Sequence, residues 1–288
     1  MNRRALRRAF DRAGASYDAS ARLQAIVRAE LLERLQDLPL TPQAVLDLGA
    51  GTGQGARELK RRYPRALVVA LDVAPGMLHE ARRRSRPFRR FERLCADARQ
   101  LPLRTASVDL VFTNLMLQWC DELPAALKEI RRVLSPGGLL LLSSFGPDTL
   151  AELRAAWAGA DQHEHVHRFP DVHVVGDQLL RSGFSRPVLD VDRHVLEYDT
   201  VLDLMRELQG IGARNASERR APGLTGRGRL RAMQDAYEGL RRQGRLPATF
   251  EVIHAVAWAA RQADTGAAAR AGGDVHIPVG SIRRREER

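Results

Sequence analysis

The chain has 288 residues, 44% hydrophobic and 28% charged, the proportions of a globular protein long enough to bury a core without disulfides or metal. No run approaches the roughly 20 uncharged apolar residues of a membrane span, and no apolar segment follows the basic start MNRRALRRAF to make a secretory signal. Lys and Arg number 46 against 35 acids, a net charge of +11 that invites nucleic acid, an anionic membrane or an acidic protein as partner; only Lys60 and Lys128 are lysines, so genomic base composition is a competing cause.

Residues 19–38 carry Leu23, Ile26, Val27, Leu31, Leu35 and Leu38 at helical spacing and stop at Pro39, which predicts a helix. Short apolar runs then alternate with helical patterns, the mark of βαβ units and a parallel sheet. Strands are expected at Ala44–Leu48, Leu67–Asp72, Arg93–Ala96, Val108–Asn114 and Leu139–Phe145, with helices at 53–62, 75–84 and 122–134. The last helix should stop in a turn at Ser135-Pro136-Gly137-Gly138. Further helices are expected at 148–158 and 174–182, a strand at Pro187–Tyr198, inserted helices over 200–246 and a strand at Ala248–Ala260. The expected fold is a doubly wound, seven-stranded, mostly parallel α/β sheet. Residues 1–40 would form an N-terminal helical lid, 41–260 the main domain with the 200–246 cap, and 261–288 a loose tail in which His276–Val279 pairs on an edge.

The informative segment is Val45-Leu46-Asp47-Leu48-Gly49-Ala50-Gly51-Thr52-Gly53, an apolar strand entering a glycine turn that opens a helix. Such turns bring a ligand close to the main chain at the carboxyl ends of the strands. Gly51-x-Gly53-x-x-Ala56 also passes loosely for a dinucleotide fingerprint, with Asp72 as its ribose acid. Asp47 separates the two readings. A carboxylate there would repel a pyrophosphate but suits an ammonium, and S-adenosylmethionine offers an ammonium, a ribose diol for Asp72 and an adenine amino group for Asp97. Each acid alone could be a helix cap or a solvated loop residue; three at the ends of three successive strands make a site.

Asp47 to Gly53, the Asp72-Val73-Ala-Pro-Gly-Met77 segment, Ala96-Asp97-Ala98, and Phe112-Thr-Asn114 before Leu115-Met-Leu-Gln118-Trp119 together resemble the ordered motifs of class I S-adenosylmethionine-dependent methyltransferases, over residues 40–145. The resemblance implies that Asp47, Gly49, Ala50, Gly51 and Gly53 hold the methionine part, Asp72 with Val73 the ribose, Met77 an adenine face, Asp97 and Ala98 the adenine edge, and Asn114 with Gln118 the floor beside the reactive methyl.

Outside these motifs, Phe10-Asp-Arg-Ala-Gly-Ala-Ser-Tyr17, Phe145-Gly-Pro-Asp-Thr-Leu, Arg168-Phe-Pro170, Leu204-Met-Arg206 through Ala213, and Leu246-Pro-Ala-Thr-Phe-Glu251 resemble the malonyl-acyl-carrier-protein O-methyltransferases of biotin synthesis. That resemblance implies a cytoplasmic, monomeric enzyme whose partner is an acidic acyl carrier protein bearing malonyl-phosphopantetheine, with no nucleic acid, membrane or metal. A carboxylate is already anionic near pH 7, so no general base is expected. Tyr17 would close the methyl-transfer pocket; Phe145, Arg168 and Arg206 would bind substrate. His163, His165 and His167 alternate in a polar loop and read as solvated rather than as a metal site. Between Arg214 and Arg245 nine arginines face three acids, a local excess of six positive charges on the cap. Competing readings are a quinone C-methyltransferase, a nucleic-acid methyltransferase, and a non-methylating complex I assembly factor of the same fold that hydroxylates arginine.

Overall fold

The computed structural model describes residues 3–36, 38–85, 90–213 and 225–260. Three helices come first, α1 (Arg3–Ala13), α2 (Tyr17–Ser20) and α3 (Arg22–Glu33). Strands and helices then alternate through β1 (Ala44–Leu48), α4 (Gln54–Arg62), β2 (Leu67–Asp72), α5 (Pro75–Arg83), β3 (Glu92–Cys95), β4 (Val108–Asn114), α6 (Leu123–Val133) and β5 (Leu134–Phe145). The rest follows as α7 (Ala151–Ala158), α8 (Val172–Arg181), β6 (Phe184–Tyr198), α9 (Val201–Gly210), α10 (Arg227–Glu238) and β7 (Leu246–Ala259).

The seven strands make one sheet in the order β3-β2-β1-β4-β5-β7-β6, parallel except for β7, which runs antiparallel to both β5 and β6. This is the expected doubly wound, mostly parallel α/β sheet. Central strands are buried on both faces, which is why Leu139 to Leu142 read as a continuous apolar run. Leu31, Leu35, Ala56 and Leu59 cover one face over Val45, Leu110, Phe112 and Leu141. Leu127, Ile130, Val133, Val175 and Leu179 cover the other over Leu46, Val111, Leu140 and Leu142. The chain reverses winding between β1 and β4, and ligands of such sheets bind where neighbouring connections leave in opposite directions.

Three expectations change. The single helix over 19–38 is two, α2 and α3, because Ala21 (φ −96°, ψ 42°) leaves the helical region between them. The turn at Ser135–Gly138 is absorbed into β5, which starts directly after α6; Leu134 pairs with Val108, and the register shifts before Leu110 pairs with Leu139. The helix expected from 148 begins at Ala151, because Leu150 sits in the left-handed region at φ 56°. The 261–288 tail, with His276–Val279, lies outside the described residues.

Candidate active site

A cavity of about 400 Å³ opens at the carboxyl ends of β1, β2 and β4, the size of a small-ligand site. Gly49, Gly51, Asp72, Val73, Met77, Asp97, Ala98, Asn114 and Gln118 line it from the sheet side, with Tyr17 and Phe145 across from them. A smaller hollow beneath the glycine turn is lined by Tyr17, Asp47, Gly49, Ala50, Gly51 and Asn114. Of the residues expected around a cofactor, only Gly53 lies in neither wall. It is buried at φ 76° as the first residue before α4, and a Cβ there would come within 3.0 Å of Ala81 and Phe91. Its role is to let the turn enter the helix, a conformation that a residue with a side chain adopts at a penalty.

Asp47 ends up on a buried strand beneath the first turn of α4, 3% exposed. An ideal Cβ on Gly55 would sit 2.8 Å from its Oδ2, so the helix can approach the carboxylate only because that residue is glycine. Oδ2 is buried without a hydrogen-bond partner. Burial pushes the Asp47 carboxyl up from 3.8 to about 7, opposed by the Ala56 N–H and by the positive charge of Arg28. A buried acceptor left unpaired costs about 1–3 kcal/mol, so the site is built to receive a donor.

Asp72 closes β2. Its Oδ2 accepts from the Gly51 N–H at 2.9 Å and its Oδ1 from the Ala74 N–H at 2.8 Å, which ties the glycine turn to the start of α5. Burial nevertheless raises its carboxyl above the ordinary value. Asp97 is held differently: Arg99 donates to both oxygens, Nε to Oδ1 at 2.9 Å and Nη2 to Oδ2 at 2.5 Å, and these bonds keep the Asp97 carboxyl below its ordinary range. Asn114 is locked at both ends of its amide, Nδ2 donating to the Gln24 carbonyl at 3.0 Å and Oδ1 accepting from Ser143 Oγ at 2.8 Å. Gln118 Nε2 donates to the Leu115 carbonyl at 2.7 Å, while its Oε1 is buried and unpaired. Leu115 and Leu150, both in the cavity wall, hold positive φ values of 48° and 56°. Non-glycine residues in that region persist only where their surroundings impose it, as they do at binding sites.

The N-terminal helices close the opposite side. Tyr17 lines both spaces, and burial, with the charge of Asp72, pushes its hydroxyl up to about 12. Two carboxylates that sequence reading did not single out latch these helices to the cofactor turns. Asp18 accepts from Thr52 Oγ1 at 2.6 Å and from Gln54 Nε2 at 3.0 Å and pairs with Arg84. Asp11 Oδ1 accepts from the Gly76 N–H at 2.9 Å. Phe10 stacks edge-on against Trp119, centroids 5.6 Å apart.

Beyond the polar end the cavity is apolar. Phe145 packs against Phe169 and Phe250 at 5.3 and 6.1 Å, beside Leu150 and Leu153. Arg168 and Arg206 are not in the walls. Both are exposed, and Arg206 pairs on the outer face of α9 with Asp203, which already sits in a capping box with Thr200. Among the described residues, the cationic ones in the wall are instead Arg3, Arg4 and Arg7 of α1 and Arg99, with Arg3 paired to Asp121 and Glu122 and Arg99 to Asp97. The alternating histidines diverge: His165 stacks on Trp157 at 3.7 Å and bonds Asp161 at 2.8 Å, His167 meets the edge of Phe169, and His163 is exposed. On the cap, Arg241 is neutralised by Glu238 and Arg245 by Asp199, whereas Arg227 and Arg231 on α10 face solvent; Arg214, Arg219 and Arg220 lie outside the described residues.

Residues 46–142 match a family model described as a methyltransferase domain. A malonyl-[acyl-carrier protein] O-methyltransferase of Methylovorus sp. (strain MP688) is 51% identical over 259 residues, 88% of each chain. Another, of Halorhodospira halophila (strain DSM 244 / SL1), is 46% identical over 287 residues, 99% of this chain and 97% of the relative. Among solved structures, a Bacillus halodurans C-125 protein assigned as a methyltransferase superposes with a TM-score of 0.57 at 18% identity, over 81% of this chain and 98% of its own. The [4+2]-cyclase SpnF does so at 0.50 and 20% identity, over 81% and 80%, so the shared fold leaves the reaction open.

Proposed function

The chain belongs to the malonyl-[acyl-carrier protein] O-methyltransferase family, and we propose that it transfers a methyl group from S-adenosylmethionine to the free carboxylate of a malonyl thioester on acyl carrier protein. The methyl ester formed would start the pimeloyl chain of biotin. The observation that carries this reading is the unpaired, buried Asp47 oxygen beneath a glycine turn, with Asp72 beside it in the wall of a cavity whose far end is apolar.

The residues present fit the proposed cofactor. Asp47 would accept from its ammonium, Gly49, Ala50 and Gly51 would admit its methionine part to the main chain, and Asp72 with Val73 would take the ribose hydroxyls. Met77 would cover the adenine, Ala98 would flank it, and Asp97, fixed by Arg99, would accept from its amino group. Bound there, S-adenosylmethionine supplies an electrophilic methyl carbon on a cationic sulfur. Gly53 acts one step removed, by setting the turn.

The protein's own part is placement and exclusion of water. Holding an anionic oxygen about 3–3.5 Å from the methyl carbon, in line with sulfur, supplies several kcal/mol by proximity alone. Asn114, locked by Gln24 and Ser143, forms a rigid floor with Gln118 for that approach. Tyr17 stays protonated at any physiological pH because its hydroxyl titrates near 12, so it closes the pocket and donates a hydrogen bond rather than removing a proton. Phe145 with Phe169 and Phe250 lines the path of an acyl-pantetheine arm, and α1 to α3 act as a lid that shields the reacting atoms. Substrate charge is met by Arg4 and Arg7 at the cavity wall, a role that the sequence assigned to Arg168 and Arg206, while Arg3 is held by Asp121 and Glu122. The exposed Arg227 and Arg231 of the cap give an acidic carrier protein a complementary surface.

The test is a labelling experiment. Incubated with methyl-labelled S-adenosylmethionine, the protein should label malonyl carrier protein as a base-labile ester and leave tRNA unlabelled. Label on nucleic acid alone, or none on any malonyl thioester, refutes the reading.

A further inference from the structure

A second cluster of ligating side chains lies away from the cavity, where α3 crosses the antiparallel pair β6 and β7. Glu30 reaches it from α3, Asp192 and His194 from β6, and His254 from β7. His254 is completely buried, and neither of its ring nitrogens has a hydrogen-bond partner. Glu30 Oε2 and His194 Nε2 are likewise buried and unpaired. Three of these unpaired atoms, Glu30 Oε2, His194 Nε2 and His254 Nε2, face one another, and buried polar groups in a native fold ordinarily have a partner.

The spacing identifies what fits. His254 Nε2 lies 3.3 Å from Asp192 Oδ2 and 3.6 Å from Glu30 Oε2, and His194 Nε2 lies 3.4 Å from the same Glu30 oxygen. The three atoms of Glu30, Asp192 and His254 all fall within 4.8 Å of one another. Ligands 2.0–2.1 Å from a tetrahedral zinc ion are about 3.3 Å apart from each other. Charge points the same way. Glu30, Asp190 and Asp192 bring three carboxylates to this region, and one guanidinium, that of Arg34, pairs with Asp190 and donates to Asp192 at 3.1 Å. Three carboxylates against one guanidinium leave two formal negative charges for a divalent ion.

We propose that Glu30, Asp192 and His254, with water in the fourth position, bind one divalent transition-metal ion of the zinc class, which clips α3 to the β6–β7 pair, and that His194 is the outer partner of Glu30. An imidazole with two carboxylates is a zinc-type ligand set rather than a calcium or magnesium one. Arg34 is the outer partner that orients Asp192. The clip has a structural consequence for the cavity, since α3 also carries the Gln24 carbonyl that fixes Asn114. The site is separate from the His163–His167 loop and involves no step of methyl transfer.

The full chain, purified without a histidine tag and stripped with chelator, is dialysed against Zn²⁺ and, in parallel, Co²⁺, and its metal content and melting temperature are measured. One ion retained per chain, a raised melting temperature and the intense visible band of tetrahedral cobalt are expected. Asp192→Asn and Glu30→Gln should each lower Zn²⁺ affinity more than about 100-fold, beyond the usual effect of outer-shell changes, and His194→Ala, at a partly exposed position, should lower it about 10- to 100-fold. His163→Ala should leave affinity unchanged. No retained ion, an octahedral cobalt spectrum, or wild-type retention by Asp192→Asn and Glu30→Gln overturns the proposal.

Discussion

Asp47→Asn should make the ligand-free protein more stable while it weakens cofactor binding. The Asp47 carboxyl is raised from 3.8 to about 7, chiefly by burial. Each pKa unit corresponds to about 1.4 kcal/mol, so keeping this group ionised in the fold costs at most about 4 kcal/mol. The sign follows from linkage. Between about pH 4 and 7 the folded state holds a proton that the unfolded state releases, so the penalty is absent below pH 4, grows as pH rises, and is complete above 7. Asparagine keeps an acceptor for the Ala56 N–H and cannot ionise. The variant's advantage over wild type should therefore be near zero at pH 4 and rise to about 2–4 kcal/mol at pH 8, some of it offset by the lost attraction to Arg28.

Urea unfolding at a series of pH values, without ligand, reads this difference directly. Calorimetric titration with S-adenosylhomocysteine reads the other half. Loss of one charge-assisted hydrogen bond, about 1.5–3 kcal/mol, should weaken binding roughly 10- to 150-fold. Wild type and variant stability curves that run parallel across pH 4–8 refute the idea that Asp47 is a strained, waiting acceptor. Unchanged affinity refutes its assignment to the ammonium.

Other expectations follow from the same geometry. Asp72→Ala removes the acceptor of the Gly51 and Ala74 N–H groups as well as the ribose contact, and should weaken S-adenosylhomocysteine binding at least about 30-fold by calorimetry; affinity within threefold of wild type would misplace the ribose. Asp18→Ala cuts the latch to Thr52, Gln54 and Arg84, so amides of α1 and α2 should exchange with solvent faster while those of β4 and β5 do not. Uniform protection in hydrogen exchange would deny the latch. Arg227→Glu with Arg231→Glu should lower kcat/KM for malonyl carrier protein at low salt and leave malonyl-CoA turnover unaffected; no loss on the carrier substrate disposes of α10 as its docking surface.

The sheet was legible because its strands are apolar runs ended by residues that strands avoid. Ala44–Leu48, Leu67–Asp72 and Val108–Asn114 fall where the sequence puts them, since Gly49, Asp72 and Asn114 each mark the point at which the chain leaves the sheet. Ser135-Pro136-Gly137-Gly138 misled for a tertiary reason. The motif does bend the chain, with Gly137 at φ 80°, but pairing of Leu134 with Val108 turns the bend into an irregularity within β5. Local chemistry specifies a bend; only the neighbouring strand decides whether it interrupts the ladder.

The cofactor side of the cavity was legible for a related reason. Its acids sit at strand ends, positions defined by the same local signals that define the strands, so each could be placed without knowing its partners. Residues whose meaning depends on a distant segment could not. Asp11 and Asp18 look like ordinary polar positions on a basic amphipathic helix and the short helix after it; their significance lies in Gly76 and Thr52, which approach only when the N-terminal helices lie across the sheet. Arg168 and Arg206 failed in the opposite direction. An arginine near a predicted pocket is a reasonable carboxylate partner, yet Asp203, three residues before Arg206, holds that guanidinium on the outside of α9, where a one-turn contact forms with less ordering than a reach into the cavity. In a chain with this many arginines, short-range acids settle where most of the positive charge goes. Arg3 of α1 and Arg229 of α10 follow the same rule, held by Asp121 with Glu122 and by Asp161, which leaves Arg4 and Arg7 at the cavity and Arg227 and Arg231 on α10 for the substrate.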